Sequence, residues 1–302
     1  DVAVLTNLTR DHLDYHGTVE AYAEAKRKLF HWPALQHAVL NLDDAFGQRL
    51  VAELADTAVL VWGYGVGDAS NYPQQAVIAT SATFDAQGIQ ATVSTPVGKG
   101  ELKAPVLGRF NLHNLLAALS TLLTKGLPLE SALAALQHVE TVPGRMQRVQ
   151  VQGKAEGVLV VVDFAHTPTA LQQALRAAKA HTAGRLICVF GCGGDRDAGK
   201  RPVMAQIAEQ EADLVIVTDD NPRTENPSTI FANIRAGFAQ PEAIHFEHNR
   251  ATAIRLAIQQ AKSGDTVVIA GKGHETVQIL ADRSIPFDDR TQATLALQEC
   301  AA

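Results

Sequence analysis

Thr218-Asp219-Asp220-Asn221-Pro222-Arg223 brings carboxylates, an amide and a guanidinium together in one short stretch. The apolar run Leu214-Val215-Ile216-Val217 precedes it and predicts a buried parallel strand. Open α/β sheets bind ligands in the loops at the carboxyl ends of their strands, so the cluster stands where a site is expected. Asp219 or Asp220 could hold an ammonium group, and Arg223 could hold a carboxylate in two parallel hydrogen bonds. That combination suits a zwitterionic amino acid. The competing reading is an Asx-type surface turn in which Pro222 sets φ.

Other residues carry chemistry at a distance from this loop. In the segment from Thr18, the apolar stripe runs through Val19, Tyr22, Ala23, Leu29 and Phe30, with Lys26 at its centre. Glu20, Glu24, Arg27 and Lys28 lie away from that centre. A Lys in such a stripe must snorkel, pair or act, and burial would favour its neutral, reactive amine. Upstream, Thr9-Arg10-Asp11-His12-Leu13-Asp14-Tyr15-His16-Gly17 could ligate a divalent ion or make a structural turn. Gly191-Cys192-Gly193-Gly194 lacks the third glycine of a dinucleotide fingerprint. Gly194 to Lys200 follows the phosphate-loop pattern until Arg201 takes the place of the Ser or Thr that would reach Mg²⁺. Arg196 could instead grip a carboxylate beside Arg223. Asp163 ends another apolar run and could accept hydrogen bonds from ribose hydroxyls. Thr167-Pro168 makes a sound helix start, so His166 could belong to the loop leading into it. Asn111 could contact a base or cap the leucine-rich helix that follows. Arg145 could touch a phosphate if two domains close around it.

The elements that position these groups fall into two halves. The first predicts strands at Val2–Thr6, Ala38–Asn41 and Ala58–Trp62, and a helix over about Thr18–Phe30. An antiparallel meander is expected over Ala76–Phe84, Gly88–Thr95 and Gly100–Val106, then a helix carrying Leu112, Leu115, Leu116, Leu119, Leu122 and Leu123. The second alternates strands (Val158–Val162, Leu186–Phe190, Leu214–Val217, Thr266–Ala270) with helices near Pro168–His181, Pro202–Glu211, Pro227–Phe238 and Ala251–Lys262. This pattern predicts a doubly wound, mostly parallel sheet. Polar loops follow all four of its strands. Pro143-Gly144-Arg145 is the expected junction, giving domains 1–145 and 146–302.

Composition narrows the class. The chain has 302 residues, 46% hydrophobic and 19% charged, with a net charge of −6 and a pI near 6.0. It is long enough for two cored domains, and its acidic balance argues against nucleic-acid and membrane-surface partners. No apolar run reaches membrane-spanning length. Cys188, Cys192 and Cys300 form neither an even set nor a metal spacing, which predicts a reducing cytoplasm. The chain opens inside a strand-like run with no initiator Met, so a fragment is expected.

Taken together, these motifs resemble the Mur ligases, the ATP-dependent enzymes that build the peptidoglycan stem peptide. The resemblance runs through Thr6–Gly17, Lys26, Gly108-Arg109-Phe110-Asn111, Pro143-Gly144-Arg145-Met146, Asp163–Pro168, Gly191–Asp197, Asp220–Arg223 and Gly271–Glu275. The last three motifs are similar to those of the branch that adds meso-diaminopimelate to UDP-N-acetylmuramoyl-L-alanyl-D-glutamate. The resemblance implies an incomplete central ATP-binding α/β domain and a Rossmann-like carboxy-terminal domain that binds the amino acid. It implies catalytic roles for Lys26 and Arg145, and a carbamylated Lys26 that binds Mg²⁺ with His12. ATP would be held by Asn111, Arg145, Asp163 and His166, and diaminopimelate by Arg196, Asp220, Asn221, Arg223, Gly271 and Glu275. The family's phosphate loop and UDP-gripping domain would precede residue 1. The implied enzyme works in the cytoplasm as a monomer, without nucleic acid or membrane. Rival readings are a lysine-adding or folylpolyglutamate-type ligase, a nucleotide-dependent oxidoreductase, and a non-catalytic amino-acid-binding fragment.

Overall fold

The computed structural model describes residues 1–8, 13–151 and 157–300. His12 and its neighbours Thr9, Arg10 and Asp11 lie outside the described residues. The chain divides into two compact units. One comprises Asp1–Thr83, Gly88–Pro105 and Arg109–Val139; the other comprises Phe84–Gln87, Val106–Gly108 and Glu140–Ala302.

The first unit is built on a sheet whose strands follow sequence order: β1 (Val2–Leu5), β2 (His37–Asn41), β3 (Leu60–Val66), β4 (Ala76–Asp85), β5 (Gly88–Thr95) and β6 (Gly98–Ala104). Pairing from β1 to β4 is parallel, and β5 pairs antiparallel with β6. The expected meander forms, with β4, β5 and β6 side by side in chain order and joined by two-residue turns, and β4 also extends the parallel set through β3. A short helix α1 (Leu13–His16) precedes α2 (Val19–Phe30), where the Thr18 hydroxyl accepts the Ala21 N–H at 3.1 Å. Helix α3 (Ala45–Leu54) links β2 to β3 and escaped the sequence reading. Its start is nonetheless marked by Asp44, whose carboxylate accepts the N–H groups of Phe46 and Gly47. Phe30, Leu40, Leu50 and Leu54 pack between these helices and the sheet. Helices α4 (Arg109–Thr124) and α5 (Leu129–Leu136) complete the unit. Because α4 begins at Arg109, Asn111 lies inside its first turn and is not the cap.

Helix α2 corrects the expected stripe. Only Ala23 and Phe30 are buried, whereas Leu29 is 52% exposed and Lys26 is half-buried. The face that meets the sheet is narrower than the apolar run, and Lys26 lies along its margin.

In the second unit the strands are β7 (Gln147–Val149), β8 (Leu159–Asp163), β9 (Leu186–Phe190), β10 (Leu214–Thr218), β11 (His245–Glu247) and β12 (Thr266–Ala270), arranged β11-β10-β9-β12-β8-β7. All pairs are parallel except β7 with β8. Alternate strand residues feed two cores. Leu159, Val161, Cys188, Phe190, Val215 and Val217 pack with helices α6 (Pro168–Lys179), α7 (Lys200–Glu211) and α8 (Pro227–Arg235). Val160, Val162, Ile187, Val189, Ile216 and Ile269 pack with α9 (Arg250–Gln260) and α10 (Asp289–Glu299). The expected doubly wound α/β architecture is what forms. A small antiparallel pair, β13 (Val277–Ile279) and β14 (Ser284–Pro286), lies between β12 and α10 in the chain.

Candidate active site

Because β12 lies between β8 and β9, the loops that follow β8, β12, β9 and β10 leave the sheet side by side at their carboxyl ends. They enclose a cavity of about 410 Å³. Each of Arg196, Asp220, Asn221, Arg223, Gly271 and Glu275 lines it, together with His166, Asp197 and Lys200. Guanidinium and carboxylate groups from separate strand ends thus face one space.

The glycine loop after β9 is shaped to let the loop after β10 approach. A Cβ on Gly194 would lie 1.9 Å from the Pro222 carbonyl oxygen, and one on Gly271 would lie 2.8 Å from Asp220 Oδ2. Asp195 and Arg223 both adopt left-handed backbone conformations, with φ of 53° and 52°. Such conformations cost free energy in non-glycine residues and persist where the surroundings impose them. Here the Asp195 carboxylate accepts the Thr224 N–H and hydroxyl, while the Arg223 N–H donates to Ile279 O at 3.1 Å. Arg223 Nη1 donates to the carbonyls of Gly194 and Asn221 at 3.0 and 3.3 Å. Strand β13 is the brace: Gln278 Nε2 also donates to Asp220 O at 2.7 Å.

Buried charge sets the electrostatics. Arg250 and Asp289 form a two-point pair with both side chains fully buried, and Arg250 Nη2 also donates to Ala270 O at the end of β12. Arg201, the residue that breaks the phosphate-loop pattern, is buried as well. It makes paired hydrogen bonds of 2.6 Å to Glu225 and a longer one to Gly193 O, so it holds the loop and is not a phosphate ligand surrogate. Lys272 Nζ donates to Asn221 Oδ1 and Glu275 Oε2, both at 2.9 Å. Burial pushes the Asp220 carboxyl above its ordinary range, against the pull of Arg250 and Lys272. For Glu275 burial acts the same way, but hydrogen bonds from Lys272 and Asn221 outweigh it and hold the carboxyl below its usual range.

Of the two aspartates that could have held an ammonium, Asp220 lines the cavity and Asp219 does not. The Asp219 carboxylate pairs with His248 Nδ1 at 3.0 Å, because consecutive residues leaving a strand point to opposite sides. Asp163 is buried, and its two oxygens accept the Met146 and Ala165 N–H groups at 2.7 and 2.8 Å. Arg145 lies over the Phe164 ring, 5.1 Å from its centroid. His166 Nδ1 donates to Phe164 O at 2.9 Å, and the His166 carbonyl accepts from Lys200 Nζ at 2.7 Å.

Lys26 and Asn111 belong to the first unit. Lys26 Nζ lies 4.9 Å from the Tyr22 ring centroid, and Asn111 Oδ1 accepts from Asn114 Nδ2 at 3.0 Å. Among the described residues no group of three or more His, Cys, Asp or Glu converges as a metal site. A carbamate on Lys26 would be the kind of oxygen donor Mg²⁺ prefers, so the residue fits the ion once modified. The sequence reading missed Lys272 and the Arg250–Asp289 pair. Lys272 carried one signal, a charged residue between two glycines directly after an apolar strand.

The chain is similar to known proteins along almost all of its length. Residues 1–122 match the family description "Mur ligase middle domain", and residues 144–273 match "Mur ligase, glutamate ligase domain". The chain is 50% identical over 297 residues to a UDP-N-acetylmuramoyl-L-alanyl-D-glutamate--2,6-diaminopimelate ligase of Ectopseudomonas mendocina, covering 98% of this chain and 59% of the relative. Proteins of the same name from Pseudomonas aeruginosa and Coxiella burnetii are 51% and 50% identical, with 98% of this chain and 59% and 60% of theirs covered. A solved structure of a UDP-N-acetylmuramoyl-L-alanyl-D-glutamate--2,6-diaminopimelate ligase is 39% identical and superposes with a TM-score of 0.80, over 99% of this chain and 60% of that one. A folylpolyglutamate synthase from Mycobacterium tuberculosis shares the fold, with a TM-score of 0.60 at 21% identity over 89% of this chain and 61% of that one. The chain therefore spans about 60% of the length of the curated relatives it matches.

Proposed function

This chain belongs to the Mur ligase family, carrying its middle and glutamate ligase domains, and on that premise we propose that it is part of a meso-diaminopimelate-adding ligase. The acceptor is UDP-N-acetylmuramoyl-L-alanyl-D-glutamate, ATP is the co-substrate, and the product serves peptidoglycan synthesis. One observation carries the reading: Arg196, Arg223, Asp220 and Glu275, from the ends of β9, β10 and β12, line a single cavity. Two guanidinium groups and two carboxylates complement a ligand that has two carboxylates and two amines. Lysine would leave one guanidinium of the cavity without a carboxylate, and the loss of that charge-assisted pair is a basis for discrimination.

In the reaction, one of the two free carboxylates of the D-glutamyl residue takes the γ-phosphoryl group of ATP, giving an acyl phosphate and ADP. The neutral amine of diaminopimelate attacks the acyl carbon, and the tetrahedral intermediate expels phosphate. Mg²⁺, when bound, would supply charge neutralisation at the transferring phosphoryl group. Lys26, as a carbamate, and His12 are the residues assigned to hold it. Arg145, His166, Asn111 and Asp163 are assigned to ATP. The cavity residues orient the amine and keep the distal carboxylate fixed, a positioning contribution in the main. We place the enzyme in the cytoplasm as a monomer. No helix among the described residues is long and apolar enough to cross a membrane.

Calorimetry on this chain with meso-diaminopimelate, L-lysine and L-glutamate tests the proposal. Diaminopimelate should bind at least about tenfold more tightly than lysine, the worth of one charge-assisted contact. Equal affinities would sink it.

A further inference from the structure

Lys272 stands two residues past the end of β12, after Gly271, and its side chain is wholly buried. A buried ammonium is costly unless it is paired, so its partners define its role. They are cavity residues. Nζ is 2.9 Å from both Asn221 Oδ1 and Glu275 Oε2, and 4.0 Å from Asp220 Oδ1. Asn221 Oδ1 also accepts the Ile279 N–H at 3.0 Å, and Asn221 Nδ2 donates to Glu275 Oε2 at 2.9 Å. The amide is thereby held in one orientation, and one Glu275 oxygen is saturated by two donors. Lys272 is absent from the cavity lining although its partners are on it.

From this geometry we infer that Lys272 is a positioning residue. Its ammonium fixes the Asn221 amide and the Glu275 carboxylate as the part of the wall that receives a substrate ammonium group, without touching the substrate. The inference rests on the proposed amino-acid reading of the cavity.

Two physical pictures give opposite signs here. If charge alone mattered, removing a cation next to Asp220 and Glu275 would strengthen their attraction for an incoming ammonium. If Lys272 positions the wall, removing it frees Asn221 and Glu275 and weakens binding. Glu275 also faces Arg223 as a cation and Asp220 as a like charge, with the Arg250–Asp289 pair close by. Arg196, Asp197, Lys200 and His166 stand elsewhere on the lining, and His274 is its chain neighbour. Among these, Lys272 is the principal group holding the Glu275 carboxyl down, by hydrogen bond and by charge. Because that carboxyl is depressed, it is ionised down to lower pH than usual, and losing Lys272 moves its titration upward.

The experiment is Lys272→Met in the 302-residue chain, with meso-diaminopimelate binding followed by calorimetry across pH. The expected result is a Kd raised about tenfold or more near neutrality, a charge-assisted contact's worth, and a low-pH limb of binding displaced upward. In a Glu275→Gln background, Lys272→Met should leave that limb where it is. A Kd that is unchanged or tighter overturns the inference. If Lys272→Met does not fold, the ¹³C titration of Glu275 in the wild-type chain decides, and a midpoint at or above the ordinary glutamate value overturns it. Absence of diaminopimelate binding by the wild-type chain would defeat the functional reading itself, a result distinct from wild-type binding that Lys272→Met leaves intact.

Discussion

The two units hold their candidate residues in different ways. In the second, the cavity side chains are fastened by buried charge and by hydrogen bonds between residues far apart in sequence: Arg250 with Asp289, Arg201 with Glu225, Lys272 with Asn221. In the first, Lys26 and Asn111 stand on helices, Lys26 Nζ near the Tyr22 ring and Asn111 bonded to Asn114, each about one turn away. On the proposed function the second unit's site must discriminate one diamino diacid, which favours walls that cannot relax around a near relative. Residues assigned to a nucleotide and a metal have less to discriminate. On that proposed function, the contrast places amino-acid selectivity in one unit's own core.

The strongest way to break that contrast is to remove the deepest support. Asp289→Ala leaves the Arg250 guanidinium uncompensated in a fully buried position, which should cost about 3–5 kcal/mol. Both tryptophans, Trp32 and Trp62, lie in the first unit, so indole fluorescence reports on that unit, while far-ultraviolet dichroism reports on both. Asp289→Ala should therefore shift the dichroism transition in urea and leave the fluorescence transition in place. The reciprocal variant is Leu50→Ala, which empties space in the first unit's core and should cost about 2–5 kcal/mol. That loss should appear in fluorescence while diaminopimelate affinity is retained. Movement of both transitions together in either variant would show that the supports are shared.

How much of this was legible beforehand follows from the range of each interaction. Arg196, Asp220 and Arg223 could be picked from sequence because each follows an apolar strand, and strand ends in a doubly wound sheet converge; Asn221, Gly271 and Glu275 were implied by the family resemblance. Their fastenings could not. Arg250 meets Asp289 across 39 residues, and Asn221 meets Lys272 across 51, with no local pattern linking either pair. Asp219 and Asp220 are chemically identical, and only the alternation of side chains leaving β10 separates the one in the cavity from the one at His248. Helix α10 was missed because it buries mainly small residues, Ala293 and Ala296, with Leu297. Strands β11 and β13 are three residues each, too short for a period to register. The exposed Leu29 shows the converse error, an apolar residue read as core where the packed face is narrow.

A smaller effect sharpens the comparison at the site itself. Arg223→Ala removes a guanidinium from the cavity while sparing the buried pairs behind it. In the full-length enzyme it should raise KM for diaminopimelate about 10- to 100-fold, equivalent to about 1.5–3 kcal/mol for a charged hydrogen bond, with KM for ATP nearly constant. Arg223→Lys should recover little, since an ammonium cannot reproduce the two-point geometry. Equal increases in both constants would remove Arg223 from the amino-acid pocket.

The smallest expected effect lies on the surface of the first unit. Glu53 on α3 accepts from Arg27 on α2 and from Arg49, at 2.6 and 2.8 Å. Burial alone would raise its carboxyl, but these partners and His31 outweigh it and lower the pKa to about 2. A depressed carboxyl contributes stability above its unfolded-state value, near 4.5, and loses that contribution as pH falls towards 2. The partners are partly exposed and screened by salt, so each pair is worth only about 0.2–1 kcal/mol. Glu53→Gln should therefore lower the fluorescence-detected stability slightly at pH 7 and leave it equal to wild type near pH 2. A deficit that persisted at the acid end would show that Glu53 ties α2 to α3 by packing as well as by charge, and Arg27–Glu53 would then belong with the fastenings that ionisation alone does not explain.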